Sequence, residues 1–283
     1  MTPDNADILI SGTVHVKEAT NGDGTRRHVP KLEPMGQHLV CFAGGMLAVG
    51  GQLTRNQAHL EAARQLVDGC IWAYRHMPLG IMPESFSMVP CEPTSPSSPY
   101  YHSSSSSSSS SSSLTSRKSE KKEKEEGECT WDELAWKKAV LEQAGEDEQL
   151  DTADTAERRA DRLIAARRLP RGYAAVPDAR YMLRPEAVES VFVLYRATGR
   201  RDLPEAAWAM FEAVERQTRT DLASAALDDV TAAGGGRKSD SMESFWLGET
   251  LKYFYLVFSE PDLVSLDEWV FNPEAHPFRR LLP

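Results

Sequence analysis

Apolar residues recur along this chain in distinct registers. The stretch HLVCFAGGMLAVGGQL, which starts at His38, is apolar nearly all round and predicts a buried helix. The following TRNQAHLEAARQLVDGCIWAYRH mixes apolar and charged positions at helical period and predicts an outer, amphipathic helix packed on the first. The arrangement returns in RPEAVESVFVLYRATG with DLPEAAWAMFEAVERQTRT, and again in SMESFWLGETLKYFYLVFSE. Helical hairpins repeated in this way, each with an inner helix too apolar to face water, predict a stack or closed toroid of such pairs. Three pairs are visible at most. The strand signal lies near the start, where ILISGTVHV reads as a short hairpin or strand pair.

The pattern breaks at Pro93. CEPTSPSSPYYH runs into an unbroken serine tract from Ser103 to Ser113 and then into RKSEKKEKEEGE. So few apolar residues among so much charge cannot offset chain entropy, which predicts disorder from Pro93 to about Gly127. WDELAWKKAVLEQ and DTAERRADRLIAARRLP then predict one or two exposed helices, ended by Pro170. The 283 residues therefore divide into a first block at 1–92, an insertion at 93–170 and a second block at 171–283. The two blocks are expected to form one domain.

Composition narrows the function classes. With 41% hydrophobic residues the chain can build a core, and 32 Lys+Arg against 42 Asp+Glu give a formal charge of -10. That balance excludes the basic footprint of a nucleic-acid binder and disfavours anionic membrane surfaces. No apolar run approaches the roughly 20 residues that span a bilayer, and MTPDNADILISG lacks the features of a signal peptide. Four cysteines match neither a disulfide-dense scaffold nor the paired spacing of a structural zinc site, but leave room for one structural disulfide. Cys41 and Cys70 could staple the first helical hairpin, with connectivity left open by spacing alone. Cys91 and Cys129 border the low-complexity segment, either free or locally paired. His38 and Cys41 stand three apart and could meet on one helix face as a Cys-His pair.

Acidic residues on helices that ought to be apolar are the most informative positions. Glu186 and Glu189, three apart, share one helix face, with Pro185 suited to the first turn and Arg184 just before it. The bland alternative is a helix start whose carboxylates favour the macrodipole. In MESFWLGE, Glu243 and Glu249 flank Phe245 and Trp246, and Phe245 and Glu249 lie on one side of a helix. An aromatic beside an acid suits a sugar pocket, because aromatic faces pack on C–H-rich rings and carboxylates accept hydroxyl hydrogen bonds. Here the alternative is a core aromatic with a solvated acid. Glu84 and Glu274 each follow a proline and complete the group. Such clustered hard oxygen donors suit Ca²⁺ better than a transition metal.

The strings HLVCFAGGMLAVGG, CIWAY with LGIMPESF, YMLRPEAVESVFVLYRATG, DSMESFWLGETLKYFYLVFS and SLDEWVFNPEAHPF resemble, in order and spacing, glycoside hydrolase family 47, the class I α-1,2-mannosidases. The similarity covers roughly residues 7–92 and 171–283, with a fungal-type insertion between. It implies an all-α fold, an (α/α)7 barrel of which this chain supplies the C-terminal portion, with a small β-hairpin element. It implies Ca²⁺-dependent inverting removal of terminal α-1,2-linked mannose from high-mannose N-glycans, in the endoplasmic reticulum and Golgi. By resemblance, Glu186 is the general base, while His38, Arg184, Phe245 and Glu249 contact substrate. Glu84, Glu186, Glu189, Glu249 and Glu274 hold calcium-bound waters, and Cys41–Cys70 is the family disulfide.

The chain departs from the family pattern in two places. The part of the family that carries the catalytic acid has no counterpart in these residues, so the chain is expected to be a portion of a longer enzyme. The family's calcium motif reads Asn272-Pro273-Glu274, leaving the Pro273 backbone carbonyl but no hydroxyl as ligand. The expectation is weakened calcium binding. The alternatives are a non-hydrolytic mannose-binding protein of glycoprotein quality control, or an inactive helical fragment.

Overall fold

The computed structural model describes residues 1–22, 24–91, 129–145 and 154–281. The whole segment predicted to be disordered, Pro93 to about Gly127 with its serine tract, lies outside the described residues.

The helices form where the apolar spacing places them. After a 3₁₀ turn at His38–Cys41 come α1 (Phe42–Thr54) and α2 (Gln57–Arg75). Arg55 in the left-handed region closes α1, and the Asn56 side chain accepts from the N–H groups of Ala58 and His59 to open α2. Further along lie α5 (Glu186–Thr198) and α6 (Asp202–Thr218), separated at the left-handed Gly199. The segment from Trp246 makes a π-helical turn (Trp246–Thr250) before α7 (Leu251–Val257). Helix α5 is the hub, packing on α1, α2, α6 and α7, and every residue from Glu186 to Leu194 is buried while its last turn opens to solvent.

Small residues permit this close packing. Gly44 faces α2, where an added Cβ would lie 2.7 Å from Val67, and Gly45 faces α5, where it would lie 3.0 Å from Ser190 Oγ. Ser190 locks the seam: its hydroxyl donates to the Cys41 carbonyl at 2.6 Å and accepts the Gly45 N–H at 2.8 Å. The Cys41–Cys70 disulfide, with Cα atoms 6.1 Å apart, staples the 3₁₀ turn that leads into α1 to α2. Neither sulfur is a thiol, so His38 and Cys41 form no nucleophile pair.

The burial of α1 departs from the expectation of a helix buried all round. Leu39, Phe42, Met46, Val49 and Leu53, spaced alternately three and four apart, line an exposed flank, with Met46 at 53% and Leu53 at 68% exposure. Apolarity reported the helix correctly, but burial depends on which neighbours are present. Around α6 and α7, Trp208, Tyr255 and Phe258 are similarly exposed.

Three small antiparallel sheets complete the fold. β1 (Thr13–Thr20) pairs with β2 (Arg26–Glu33) in a largely exposed hairpin that starts later than the pattern suggested. β3 (Met35–Gln37), β4 (Ser85–Met88) and β5 (Tyr173–Asp178) form a sheet in that order, and β6 (Trp269–Phe271) pairs with β7 (Pro277–Arg279). Within the insertion, α3 (Glu133–Ala144) and α4 (Ala156–Ala166) pack together over a small core of Trp136, Val140, Leu163 and Leu169. They are less exposed than their charge suggested, because Trp136 inserts and its indole N–H donates to the Tyr173 carbonyl at 2.8 Å. Cys91 and Cys129 are bonded to each other.

Candidate active site

The site assembles where the β3–β4–β5 sheet meets the start of α5. The Glu84 backbone is pinned on both sides, its carbonyl accepting from His38 N at 3.0 Å and its N–H donating to the Arg180 carbonyl at 2.9 Å. This fixes two loops on which candidate residues sit. The Glu84 carboxylate accepts from Arg184 Nε at 2.6 Å, while its Oε1 is buried and without a partner. Arg184 Nη1 lies 3.6 Å from Glu186, and its guanidinium is 5.9 Å from the centre of the Phe245 ring.

Glu186 opens α5, where both the helix N-terminus and Arg184 favour a negative charge. His38 Nδ1 lies 3.1 Å from Glu186 Oε2, and His38 Nε2 lies 2.7 Å from the Tyr74 hydroxyl. Burial opposes ionisation of Glu186, but the His38 hydrogen bond and the nearby positive charge outweigh it and hold the carboxyl below the usual range.

One turn further along, Glu189 has the opposite balance. Its Oε1 accepts from the Tyr253 hydroxyl at 2.9 Å. Burial, with help from Glu186 and Glu249, pushes its pKa up to about 7. Glu249, on the π-helical turn, is raised by burial and by Glu186 and Glu274. A π-turn shifts the phase of the helix and so turns Glu249 relative to the apolar face that follows. The Thr250 hydroxyl on the same turn donates to the Leu183 carbonyl at 2.7 Å. Leu183 has φ +64°, a conformation that costs a branched residue energy and redirects the chain into Arg184 and Pro185.

The sequence-derived candidates thus divide in two. His38, Glu84, Arg184 and Glu186 are joined in one contact chain with Phe245 beside it, and Glu189 and Glu249 are linked to it electrostatically. Glu274 reaches the group only through its charge on Glu249; it is 73% exposed and 3.6 Å from His276, in a turn held by Asn272 Oδ1, which accepts from Glu274 N and His276 N. Lys252 Nζ donates to the Ala275 carbonyl of the same turn at 2.7 Å. Tyr74, Tyr253 and Thr250 were not read from the sequence. The available signal was polar-tipped side chains in apolar helix turns, which when buried need partners.

A buried acid set whose ionisation is pushed in opposite directions, with an arginine and an aromatic beside it, is the equipment of a carbohydrate-processing site. Comparison with known proteins names the class. Glycosyl hydrolase family 47 matches residues 4–280. The chain belongs to that family. It is 49% identical over 98 residues to a mannosyl-oligosaccharide 1,2-alpha-mannosidase of Arabidopsis thaliana, covering 35% of this chain and 17% of that protein. It is 30% identical to the human endoplasmic reticulum mannosyl-oligosaccharide 1,2-alpha-mannosidase, covering 85% of this chain and 24% of that one. The structure of an alpha-1,2-mannosidase from Trichoderma reesei superimposes with a TM-score of 0.59 at 26% identity, over 90% of this chain and 41% of its own. The chain spans less than half the length of each.

Proposed function

We propose that this chain supplies part of the active site of an inverting α-1,2-mannosidase acting on high-mannose N-glycans, and that its helices are a portion of an (α/α)7 barrel. The observation that carries the reading is Glu186, a nearly buried carboxylate kept ionised by His38 and Arg184. In an inverting hydrolysis it takes a proton from the attacking water as the water oxygen bonds to the anomeric carbon. The glycosidic C–O bond breaks on the opposite face, where a second carboxyl protonates the leaving oxygen. No residue of this chain is assigned that second role. Arg184 is anchored by Glu84 to orient the sugar, and Phe245 offers an aromatic face beside it.

The acid set fits a hard divalent cation. Glu84 Oε1 is a buried acceptor without a partner, and burial, with added repulsion from neighbouring carboxylates, raises Glu189 and Glu249, a cost that a cation would relieve. Among the described residues, no three acidic, His or Cys side chains converge as direct ligands. A Ca²⁺ here would therefore use the Pro273 carbonyl, with Glu84, Glu186, Glu189, Glu249 and Glu274 acting through waters. When bound it would orient sugar hydroxyls and stabilise developing charge. Pro273 lacks a hydroxyl, which favours weak binding and a second reading, a mannose-binding protein without hydrolysis.

Two disulfides suit an oxidising lumen, and one relative is named for the endoplasmic reticulum, so we place the chain in the secretory pathway. Among the described residues no helix is long and apolar enough to cross a membrane.

The test is release of mannose from a high-mannose N-glycan in calcium buffer, with the anomer first formed read by NMR. Release of the inverted β-anomer by the chain and its loss in Glu186→Gln support hydrolysis. Glycan retention on a column of the immobilised chain without release supports the binding reading, and neither behaviour would sink both.

A further inference from the structure

The reading of Glu186 as base leaves unexplained a buried group behind it. Tyr74 is 3% exposed on α2, at the end of the apolar run GCIWAY. Its hydroxyl lies 2.7 Å from His38 Nε2, and His38 is fully buried, with Nδ1 3.1 Å from Glu186 Oε2. The His38 and Tyr74 rings meet edge-on, with centroids 5.7 Å apart and planes at 68°. Three buried side chains from three different elements thus form one polar line ending at the candidate base.

The chemistry of that line has a direction. An ionised carboxylate only accepts, so the ring nitrogen facing Glu186 must carry hydrogen. A buried phenol keeps its proton, and burial, followed by the neighbouring Tyr181 hydroxyl and then by the charges of Glu186 and Glu84, raises Tyr74 well above the ordinary tyrosine range. The phenol O–H then donates to the lone pair on Nε2. Tyr181 is also fully buried, its ring 6.0 Å from that of His38, and its hydroxyl interacts with that of Tyr74.

We infer that Tyr74 is a positioning residue: its hydroxyl locks His38 in the neutral Nδ1–H tautomer, and His38 in turn holds Glu186 Oε2, leaving Oε1 as the oxygen that receives the proton from water. The inference rests on the mannosidase reading for its catalytic half and on geometry alone for the tautomer. Tyr74 touches neither substrate nor reacting atoms; it acts through His38.

The test uses the full chain with ¹⁵N-labelled histidine. In the wild type, His38 is expected to show a protonated-type Nδ1 and a pyridine-type Nε2 resonance. Tyr74→Phe keeps the ring and its packing but removes the donor, and the Nε2 signal is expected to shift or split between tautomers. If the wild type shows a protonated Nε2, or if Tyr74→Phe leaves the His38 signals in place, the lock is refuted. Should Tyr74→Phe lose its cooperative melt, 3-fluorotyrosine at position 74 takes its place. That residue keeps the ring and strengthens the donor, so an unmoved Nε2 signal would likewise refute the lock.

Mannose release then reads the catalytic half. A buried acceptor left without its donor is expected to lower kcat about tenfold to a hundredfold in Tyr74→Phe, with KM within about threefold. A kcat equal to wild type would overturn the catalytic role. A wild type that releases no mannose fails the mannosidase reading itself, and the spectra still decide the tautomer lock separately.

Discussion

Glu189 should betray its burial in a stability measurement. It sits on α5, 8% exposed, with one oxygen accepting from Tyr253 and with Glu186 and Glu249 as like-charged neighbours. Burial is the largest cause of a folded-state pKa of about 7 against an ordinary 4.5. The folded protein keeps this proton where the unfolded chain has already released it. Stability is therefore fully present below the unfolded value and falls as pH rises through about 7, by about 3 kcal/mol in total. Glu189→Gln removes the titration while keeping a carbonyl oxygen for the Tyr253 hydroxyl. Urea unfolding of both proteins in chelator should show similar stability near pH 4 and a variant more stable by about 3 kcal/mol near pH 8. Millimolar calcium should narrow the gap by favouring the ionised form. Parallel stability profiles from pH 4 to pH 8 would refute the argument, because they would mean that the carboxyl ionises in the folded state at no extra cost.

Three further outcomes are expected. Gly45→Ala should cost about 1–3 kcal/mol in a denaturant melt, since its Cβ would meet Ser190 Oγ and backbone at 3.0 and 3.2 Å. Gly50→Ala in the same helix, with nothing within 4 Å, should instead stabilise by about 0.5–1 kcal/mol; equal effects would argue against the α1–α5 seam. Thr250→Val should cost about 1–3 kcal/mol in the same melt by leaving the buried Leu183 carbonyl unpaired, and a neutral result would mean that this hydrogen bond does not hold the turn before Arg184. Met46→Lys with Leu53→Lys should reduce self-association in sedimentation while changing stability by no more than about 0.5 kcal/mol per site, as expected of exposed positions.

The legible part of the site was the part written as local pattern. Glu186 and Glu189 were conspicuous because acids three apart in an apolar helix cannot all be solvated, and Phe245 and Glu249 because they share a helix side. Cys41 and Cys70 could be paired only as a possibility, since spacing does not measure the Cα separation of 6.1 Å that the bond requires. Tyr74 was hidden for a different reason: an aromatic in an apolar turn looks like core until its hydroxyl is found facing a histidine 36 positions away.

By itself the sequence determined the existence and order of helices α1, α2, α5, α6 and α7, because apolar period and helix-ending residues act within a few turns. It likewise determined the break at the serine tract and the acidic residues available for chemistry. Only the tertiary structure decided which flank of α1 faces outward, how three short strands from distant segments pair around Glu84, and which of two glutamates on one helix face stays ionised. Those outcomes depend on desolvation and on partners more than 60 residues away, such as His38 for Glu186 and Tyr253 for Glu189, and no local pattern encodes them.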